Sequence, residues 1–161
     1  MTNALIRSRD DFAARHPEER VVLNGREWGV VDTGGEGPVL LLIPGTLGRG
    51  DIFWQQIEAL KDRARVLSVT YPDSGGVAEW AGDLVRLLDD RGIGEATVLG
   101  SSLGGYLAQY MAAAHPDRVE RLIAANTLCS TAPAKQNPPY SSDLDAAPSE
   151  IVLEFTGNIL D

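Results

Sequence analysis

Residues 96–106 constrain the fold of this chain most, because an apolar run there leads directly into closely spaced glycines and serines. The first four residues have the composition of a strand, and the residues after the glycines have the apolar spacing of a helix. Gly100 and Gly104 flank Ser102 in the pattern Gly-x-Ser-x-Gly. Since only residues without a side chain let a strand and a helix approach so closely, the pattern predicts a tight strand–turn–helix with Ser102 at its apex.

A serine at such an apex is a candidate nucleophile, because the turn lifts its hydroxyl clear of the sheet. The backbone N–H of Leu103 lies at the predicted start of the helix, where it can donate a hydrogen bond to an oxyanion. A glycine- and serine-rich turn without any chemistry gives the same short pattern. The apolar strand before the turn and the amphipathic helix after it favour the nucleophile interpretation.

Predicted strands and helices alternate along the chain on both sides of this turn. Asn24-Gly25 lies between two apolar runs and predicts a hairpin. The uninterrupted apolar run at 39–43 is typical of a strand buried on both faces of a sheet. Strands are expected at 21–23, 27–31, 39–43, 66–69, 96–99 and 119–125, and helices at 51–60, 77–91 and 103–115. This alternation predicts an α/β fold with a mostly parallel β-sheet flanked by helices on both faces.

The chain is expected to divide into three segments. They are an N-terminal helical or irregular segment, an α/β core and the start of a cap or excursion region, at residues 1–20, 21–130 and 131–161. In the first segment, a short helix is expected to begin at Asp10 or Asp11. The third segment is rich in Pro, Ser, Ala and Asp, and within it Ser149 is placed to cap a final amphipathic helix.

Charge and composition exclude several classes of function. The net charge of −9 is spread along the chain, which argues against nucleic acid or an anionic membrane surface as a partner. No apolar run reaches transmembrane length, so no membrane span is expected. Cys129 is the only cysteine, which rules out an intrachain disulfide and favours a reducing, cytoplasmic location. The glycines at 34–37 precede a strand and are not a phosphate loop, and we expect no cofactor and no metal.

The order of the motifs resembles that of the α/β-hydrolase superfamily over residues 20–130. The matching motifs are Asp32-x-Gly34, the strand ending in Pro44-Gly45, Tyr71-Pro72, Gly100-Ser101-Ser102-Leu103-Gly104 and His115-Pro116-Asp117-Arg118-Val119. The resemblance implies a serine hydrolase that acts on a small ester or related acyl substrate through an acyl-Ser102 intermediate. It also implies a second oxyanion-binding N–H at Thr46, in a loop where Pro44 replaces the usual histidine.

Two further stretches resemble the maspardin-like branch of the superfamily. They are Phe53-Trp54-Gln55-Gln56-Ile57, and the start of the helix after the serine, Gly104-Gly105-Tyr106-Leu107-Ala108-Gln109. This branch implies an alternative function, because maspardin itself is better regarded as a binding protein than as a proven enzyme. The alternative to a serine hydrolase is therefore a non-catalytic binding or adaptor protein on the same fold.

The superfamily places the acid and the histidine of its catalytic triad beyond the serine in chain order. This chain has two histidines, His16 far upstream of Ser102 and His115 at the end of the helix that follows it. We therefore expect the N-terminal portion of such a protein, a C-terminally incomplete fold from which the catalytic acid and histidine are missing. The strand at 119–125 is then expected to form an apolar sheet edge through which the chain self-associates.

Overall fold

The structure is a computed structural model, and it describes residues 3–130 together with Ala132 and Gln136. The chain divides into a larger unit, Met1–Leu128, and a smaller one, Cys129–Asp161. All the helices and strands given below lie in the larger unit. The helix predicted near the C-terminus falls outside the described residues.

Six strands form one sheet within the described residues. In chain order they are β1 (Glu19–Leu23), β2 (Arg26–Asp32), β3 (Val39–Ile43), β4 (Arg65–Thr70), β5 (Ala96–Ser101) and β6 (Val119–Ala125). Their order across the sheet is β1-β2-β4-β3-β5-β6. β2 runs antiparallel to β1 and β4, and the other three neighbouring pairs are parallel. The predicted mostly parallel sheet is therefore confirmed.

Helices cover both faces of this sheet, as the sequence predicted. They are α1 (Ala4–Arg15), α2 (Trp54–Leu60), α3 (Val77–Asp90) and α4 (Leu103–Ala114), with short 3₁₀ turns at Gly50–Phe53 and Pro116–Arg118. Neighbouring residues of β3 point to opposite faces. Leu41 packs with the buried residues of α3 and α4, whereas Leu42 packs with Phe12 of α1 and Ile57 of α2. The apolar run at 39–43 is thus buried on both faces, which explains why it does not alternate with polar residues.

The first helix begins earlier than predicted. α1 starts at Ala4 and not at Asp10 or Asp11, because the side chain of Asn3 accepts a hydrogen bond from the backbone N–H of Leu5 at 3.0 Å. An asparagine caps a helix as well as an aspartate does, so the start predicted at the aspartates was wrong. A single residue of α1 is buried, and the apolar spacing of this helix therefore gave little indication of its true length.

The helix predicted at 51–60 begins as a tighter turn. Gly50–Phe53 is a 3₁₀ helix, and α2 starts only at Trp54. The change of pitch turns Ile52 away from the core and leaves it 55% exposed, whereas Ile57 is buried as predicted. Ile52 is thereby placed at the surface near the loop that follows β3.

The predicted hairpin is confirmed, and it surrounds a buried carboxylate. Asn24 and Gly25 have φ values of +49° and +86°, as a two-residue hairpin turn requires. Asn24 Nδ2, two nitrogens of Arg26 and Trp28 Nε1 donate hydrogen bonds to the fully buried carboxylate of Asp83, at 2.7–3.0 Å. Burial works to raise the pKa of the Asp83 carboxyl. The hydrogen bonds from Arg26, Asn24 and Trp28 outweigh burial and hold that pKa below its ordinary value.

β6 lies at one edge of the sheet. It pairs with β5, and no strand among the described residues pairs with its other side. Its five central residues are all exposed, and they include Leu122 at 40% and Ile123 at 46%. Because successive side chains of a strand point to opposite faces, β6 exposes apolar surface on both faces of the sheet, beside an edge that no described strand covers.

We expect the isolated 161-residue chain to self-associate through β6, because an unpaired apolar strand offers its backbone hydrogen-bonding groups to a second copy. Ile123→Lys is expected to shift the chain towards monomer in sedimentation velocity at micromolar concentration. Val22→Lys is the matched control, since Val22 is 69% exposed on β1, at the opposite edge of the sheet. A stable monomer of the unsubstituted chain would contradict the prediction.

Candidate active site

The structure places Ser102 at the apex of a strand–turn–helix. β5 ends at Ser101 and α4 begins at Leu103, with Ser102 alone between them. Its φ of +53° and ψ of −118° are rare for a residue with a side chain, and such a conformation costs about 1–3 kcal/mol. Ser102 is also exposed to solvent. The turn geometry that the sequence predicted is therefore present, and the serine is accessible.

Glycine is required on both sides of Ser102, because backbone atoms fill the space where a side chain would begin. A Cβ on Gly100 would overlap the carbonyl group of Gly104. A Cβ on Gly104 would overlap the carbonyl oxygens of Ile43 and Pro44, at the end of β3. The two glycines thus let α4 start against β5 and β3 together, which fixes Ser102 beside the loop that follows β3.

The unusual backbone conformation of Ser102 is held by hydrogen bonds to the end of β6 and beyond. The Ser102 N–H donates to the carbonyl oxygen of Ala125 at 3.0 Å. The Ser102 carbonyl oxygen accepts from Thr127 Oγ1 at 2.7 Å and from the N–H of Tyr106 at 3.2 Å. Sequence reasoning missed Thr127. Its position just past the carboxyl end of a parallel strand, where site residues gather in α/β folds, was the available signal.

Ser102 lines a cleft of about 150 Å³ that it shares with the loop after β3. A Cβ on Gly45 would lie 3.3 Å from the Cβ of Ser102 and 3.9 Å from its Oγ, so the loop passes directly beside the serine. The residues that line the cleft are all uncharged: Pro44, Gly45, Thr46, Leu47, Ile52, Phe53, Ser101 and Ser102. The cleft therefore offers apolar contacts next to the Ser102 hydroxyl group.

Two backbone amides are available beside Ser102. The N–H of Leu103 is the first of α4, at the end of a helix where N–H groups have no partner within the helix. The N–H of Thr46 lies in the exposed loop that lines the cleft. Neither N–H donates a backbone hydrogen bond within residues 3–130. The structure thus brings the three candidate residues, Ser102, Leu103 and Thr46, to one place.

Neither histidine lies at the cleft beside Ser102. His16 caps the C-terminus of α1, with its ring centroid 5.0 Å from that of Phe12. His115 caps the opposite end of α4 from Ser102, and the 12 residues of that helix separate them by about 18 Å at 1.5 Å per residue. The described lining of the cleft includes no titratable side chain. Among the described residues, Ser102 therefore has two backbone amides beside it but no general base.

Three observations concern other kinds of site. In the part of the chain that the structure describes, no group of three or more His, Cys, Asp or Glu side chains could hold a metal ion. Cys129 is a free, exposed thiol. The helices within this part are too short or too polar for any of them to cross a membrane.

The fold and this site agree with the comparison to known proteins. The family described as the alpha/beta hydrolase fold matches residues 38–152. The chain therefore belongs to the alpha/beta hydrolase fold family. Among solved structures, it is similar to a hydrolase from Pseudomonas aeruginosa PA01, with a TM-score of 0.73 and 28% identity over 88% of this chain and 58% of that one. The predicted superfamily is confirmed.

Two curated relatives show similarity to this chain within the family. It is 35% identical over 102 residues to the putative carbamate hydrolase RutD of Azorhizobium caulinodans, which covers 57% of this chain and 38% of the relative. It is 30% identical over 129 residues to maspardin of Danio rerio, which covers 74% of this chain and 41% of the relative. The predicted resemblance to the maspardin-like branch is thus confirmed. The chain spans about two fifths of the length of these relatives.

Proposed function

We propose that this chain carries the nucleophile half of a serine hydrolase that acts on an ester or related acyl substrate. Ser102 is the nucleophile, and the N–H groups of Leu103 and Thr46 bind the oxyanion. The observation that carries the proposal is the strained, exposed Ser102 between β5 and α4, facing a cleft beside the loop after β3. A strained serine is kept at this position by the hydrogen bonds of Ala125 and Thr127, and such strain is typical of functional sites.

In the proposed reaction, Ser102 Oγ attacks the acyl carbonyl carbon, and the carbonyl electron pair moves to the oxygen. The N–H groups of Leu103 and Thr46 stabilise the resulting oxyanion. Collapse of this intermediate expels the alcohol and leaves acyl-Ser102, which water then hydrolyses. A base must take the proton from Ser102 and return it to the leaving alcohol. Since His115 lies at the opposite end of α4 from Ser102, the proposal assigns this base to a segment outside residues 3–130.

The lining of the cleft supports a neutral acyl group as the substrate part that lies next to Ser102. Leu47, Ile52 and Phe53 provide apolar walls, and the described lining carries no positive charge to pair with an anionic group. An unpaired anion in such a place loses solvation without gaining a partner. An uncharged ester of a short acyl chain therefore suits the cleft better than a carboxylate-bearing substrate.

A second candidate function is a binding or adaptor protein on the same fold. Two observations favour it. The match to maspardin covers more of this chain than the match to RutD, 74% against 57%. The described residues also place no general base beside Ser102, and a serine without a base is a weak nucleophile. The two candidates differ in whether Ser102 reacts.

Labelling by a fluorophosphonate probe, which reacts with activated serines, separates these candidates. We expect no labelling and negligible esterase turnover for the 161-residue chain, because residues 3–130 place no base beside the exposed serine. In a serine protease, loss of the triad leaves a rate about 10³–10⁴-fold above that in water, but this remainder depends on a closed pocket. A chain extended by the downstream strands, acid and histidine of the family is expected to be labelled.

The controls for this experiment are two serine variants of the extended chain. Ser102→Ala should abolish labelling, and Ser8→Ala, on the exposed surface of α1, should leave it unchanged. Strong Ser102-dependent labelling of the 161-residue chain would mean that a base lies within it. Absence of labelling in the folded extended chain would favour the binding protein.

A further inference from the structure

The loop that follows β3, residues 44–50, is held by residues at the carboxyl end of β4. We call this segment the oxyanion loop, because it carries the Thr46 N–H of the proposed function. Its start is fixed by Tyr71, whose hydroxyl group donates a hydrogen bond to the carbonyl oxygen of Pro44 at 3.0 Å. That carbonyl also lies against Gly104, in the first turn of α4. The Tyr71 hydroxyl therefore acts where the oxyanion loop meets the turn around Ser102.

Tyr71 holds the oxyanion loop at a second point. Its backbone N–H donates to the carbonyl oxygen of Gly48 at 2.8 Å, and its ring lies 3.5 Å from where a Cβ of Gly48 would be. The Gly48 N–H in turn donates to the carbonyl oxygen of Gly45 at 2.9 Å and closes a tight turn. Pro44 and Gly48 are two residues before and two residues after Thr46. One tyrosine thus binds the loop on both sides of the Thr46 amide.

The far end of the oxyanion loop is fixed independently of Tyr71. Ser68 Oγ donates to the carbonyl oxygen of Gly50 at 2.8 Å, and the Gly50 N–H donates to Thr70 Oγ1 at 2.9 Å. Both side chains belong to β4, which is central in the sheet. Loss of the Tyr71 hydroxyl should therefore loosen the start of the loop, including the turn between Gly45 and Gly48, without releasing its end.

Tyr71 is itself held rigidly. Its ring centroid lies 5.7 Å from that of Trp28 and 4.9 Å from that of Trp80, within an aromatic cluster. Trp28 is fixed by its hydrogen bond to Asp83, and Trp80 by a hydrogen bond to the Ser74 carbonyl oxygen at 2.9 Å. Burial raises the pKa of the Tyr71 hydroxyl, so this group stays protonated and remains a donor.

We infer that Tyr71 is a positioning residue for the oxyanion hole, and that its hydroxyl orients the Thr46 N–H through Pro44. The inference rests on the proposed function for the role of Thr46, but the restraint on the loop can be tested separately. An oxyanion donor is effective only when it already points at the developing charge. A loop held at Pro44 and Gly48 keeps the amide between them in a fixed orientation.

The first test uses Tyr71→Phe in the 161-residue chain and measures amide hydrogen exchange by NMR. We expect exchange at Gly48 to become about tenfold faster, because the local opening equilibrium of the loop shifts. Amides of β3, such as Leu41, should be unaffected. The matched control is Tyr110→Phe, on the exposed side of α4, whose hydroxyl has no hydrogen-bond partner within residues 3–130. Unchanged exchange at Gly48 in Tyr71→Phe would overturn the inference.

The second test uses butylboronic acid as a probe of the oxyanion hole at about pH 8. The Ser102 oxygen adds to boron, its proton passes to the buffer, and ¹¹B NMR detects the tetrahedral adduct. Because this is an equilibrium, it needs no catalytic base. We expect Ser102→Ala to abolish the adduct and Tyr71→Phe to weaken its formation about tenfold, with no effect of Tyr110→Phe.

The two tests distinguish the possible failures. Faster exchange together with an unchanged boronate affinity would show that Tyr71 only stabilises the loop, which overturns its role at the oxyanion hole. Absence of a Ser102-dependent adduct in the unsubstituted chain would count against the proposed function. In that case faster exchange at Gly48 would still support the restraint of the loop by Tyr71.

Discussion

Gly104→Ala is expected to reduce the free energy of unfolding by more than about 3 kcal/mol. The new Cβ would overlap the carbonyl oxygens of Ile43 and Pro44. Both obstacles are backbone atoms at the end of a central strand, so no side chain can rotate to make room. Relief requires α4 to move away from β3, which would break the turn around Ser102. Denaturant unfolding followed by circular dichroism measures the effect.

Gly82→Ala is the control for this prediction. Gly82 lies within α3, and a Cβ there would meet no atom within 4 Å. Alanine should therefore increase the free energy of unfolding by about 0.5–1 kcal/mol, because it lowers the entropy of the unfolded chain without a clash. Similar effects of the two substitutions on the free energy of unfolding would contradict the close contact between α4 and β3.

Asp83→Asn is expected to reduce the free energy of unfolding by about 3–5 kcal/mol, the range for a buried ion pair that loses one partner. The Asp83 carboxylate accepts hydrogen bonds from Asn24, Arg26 and Trp28 and has no exposed surface. An amide in its place keeps one acceptor oxygen, but its NH₂ group would face these donors. The guanidinium of Arg26 would also lose the closer of its two charged partners and keep only Glu79, at 3.4 Å.

The same carboxylate should make the stability of the chain depend on pH. Because the folded-state pKa of Asp83 is lowered, its contribution is fully present above the unfolded pKa, about 3.9, and is lost as the pH falls through the folded value. The urea midpoint of the unsubstituted chain should therefore fall on acidification below about pH 4 more steeply than that of Asp83→Asn. Equal slopes would contradict the prediction.

Asp90→Asn is the matched control for both measurements. Asp90 pairs with Arg86 on the exposed face of α3 at 2.8 Å, and both side chains are well exposed. Exposed pairs of this kind contribute little, because water and salt screen them. The substitution should therefore leave the midpoint almost unchanged at neutral pH.

The sequence allowed the strands and the turn around Ser102 to be predicted because the necessary information is local. Five consecutive apolar residues at 39–43 are sufficient to indicate a strand buried on both faces. The spacing of Gly100 and Gly104 indicates a turn with no room for side chains. Asn24-Gly25 indicates a hairpin for the same local reason, since both residues tolerate positive φ.

The restraints on the site could not be predicted, because they join segments that are distant in sequence. Thr127 binds a carbonyl 25 residues earlier, and Tyr71 binds one 27 residues earlier. A threonine after a strand and a tyrosine before a proline carry no local pattern that names such partners. The early start of α1 was missed for a different reason, since the side chain of Asn3 and not the apolar spacing determines it.

During synthesis of the chain, Ser102 can form its hydrogen bonds only after later residues have been added. Ala125 and Thr127, which bind its N–H and carbonyl groups, are both synthesised after it, whereas the partners of Asp83 are all synthesised before that residue. At about 5–20 residues per second, a ribosome adds the residues up to Thr127 about 1–5 s after Ser102. During that interval a nascent chain can close its hairpin onto α3 while the serine still has an ordinary backbone conformation. The strained backbone conformation of Ser102 is thus acquired only after residues 125–127 have been synthesised.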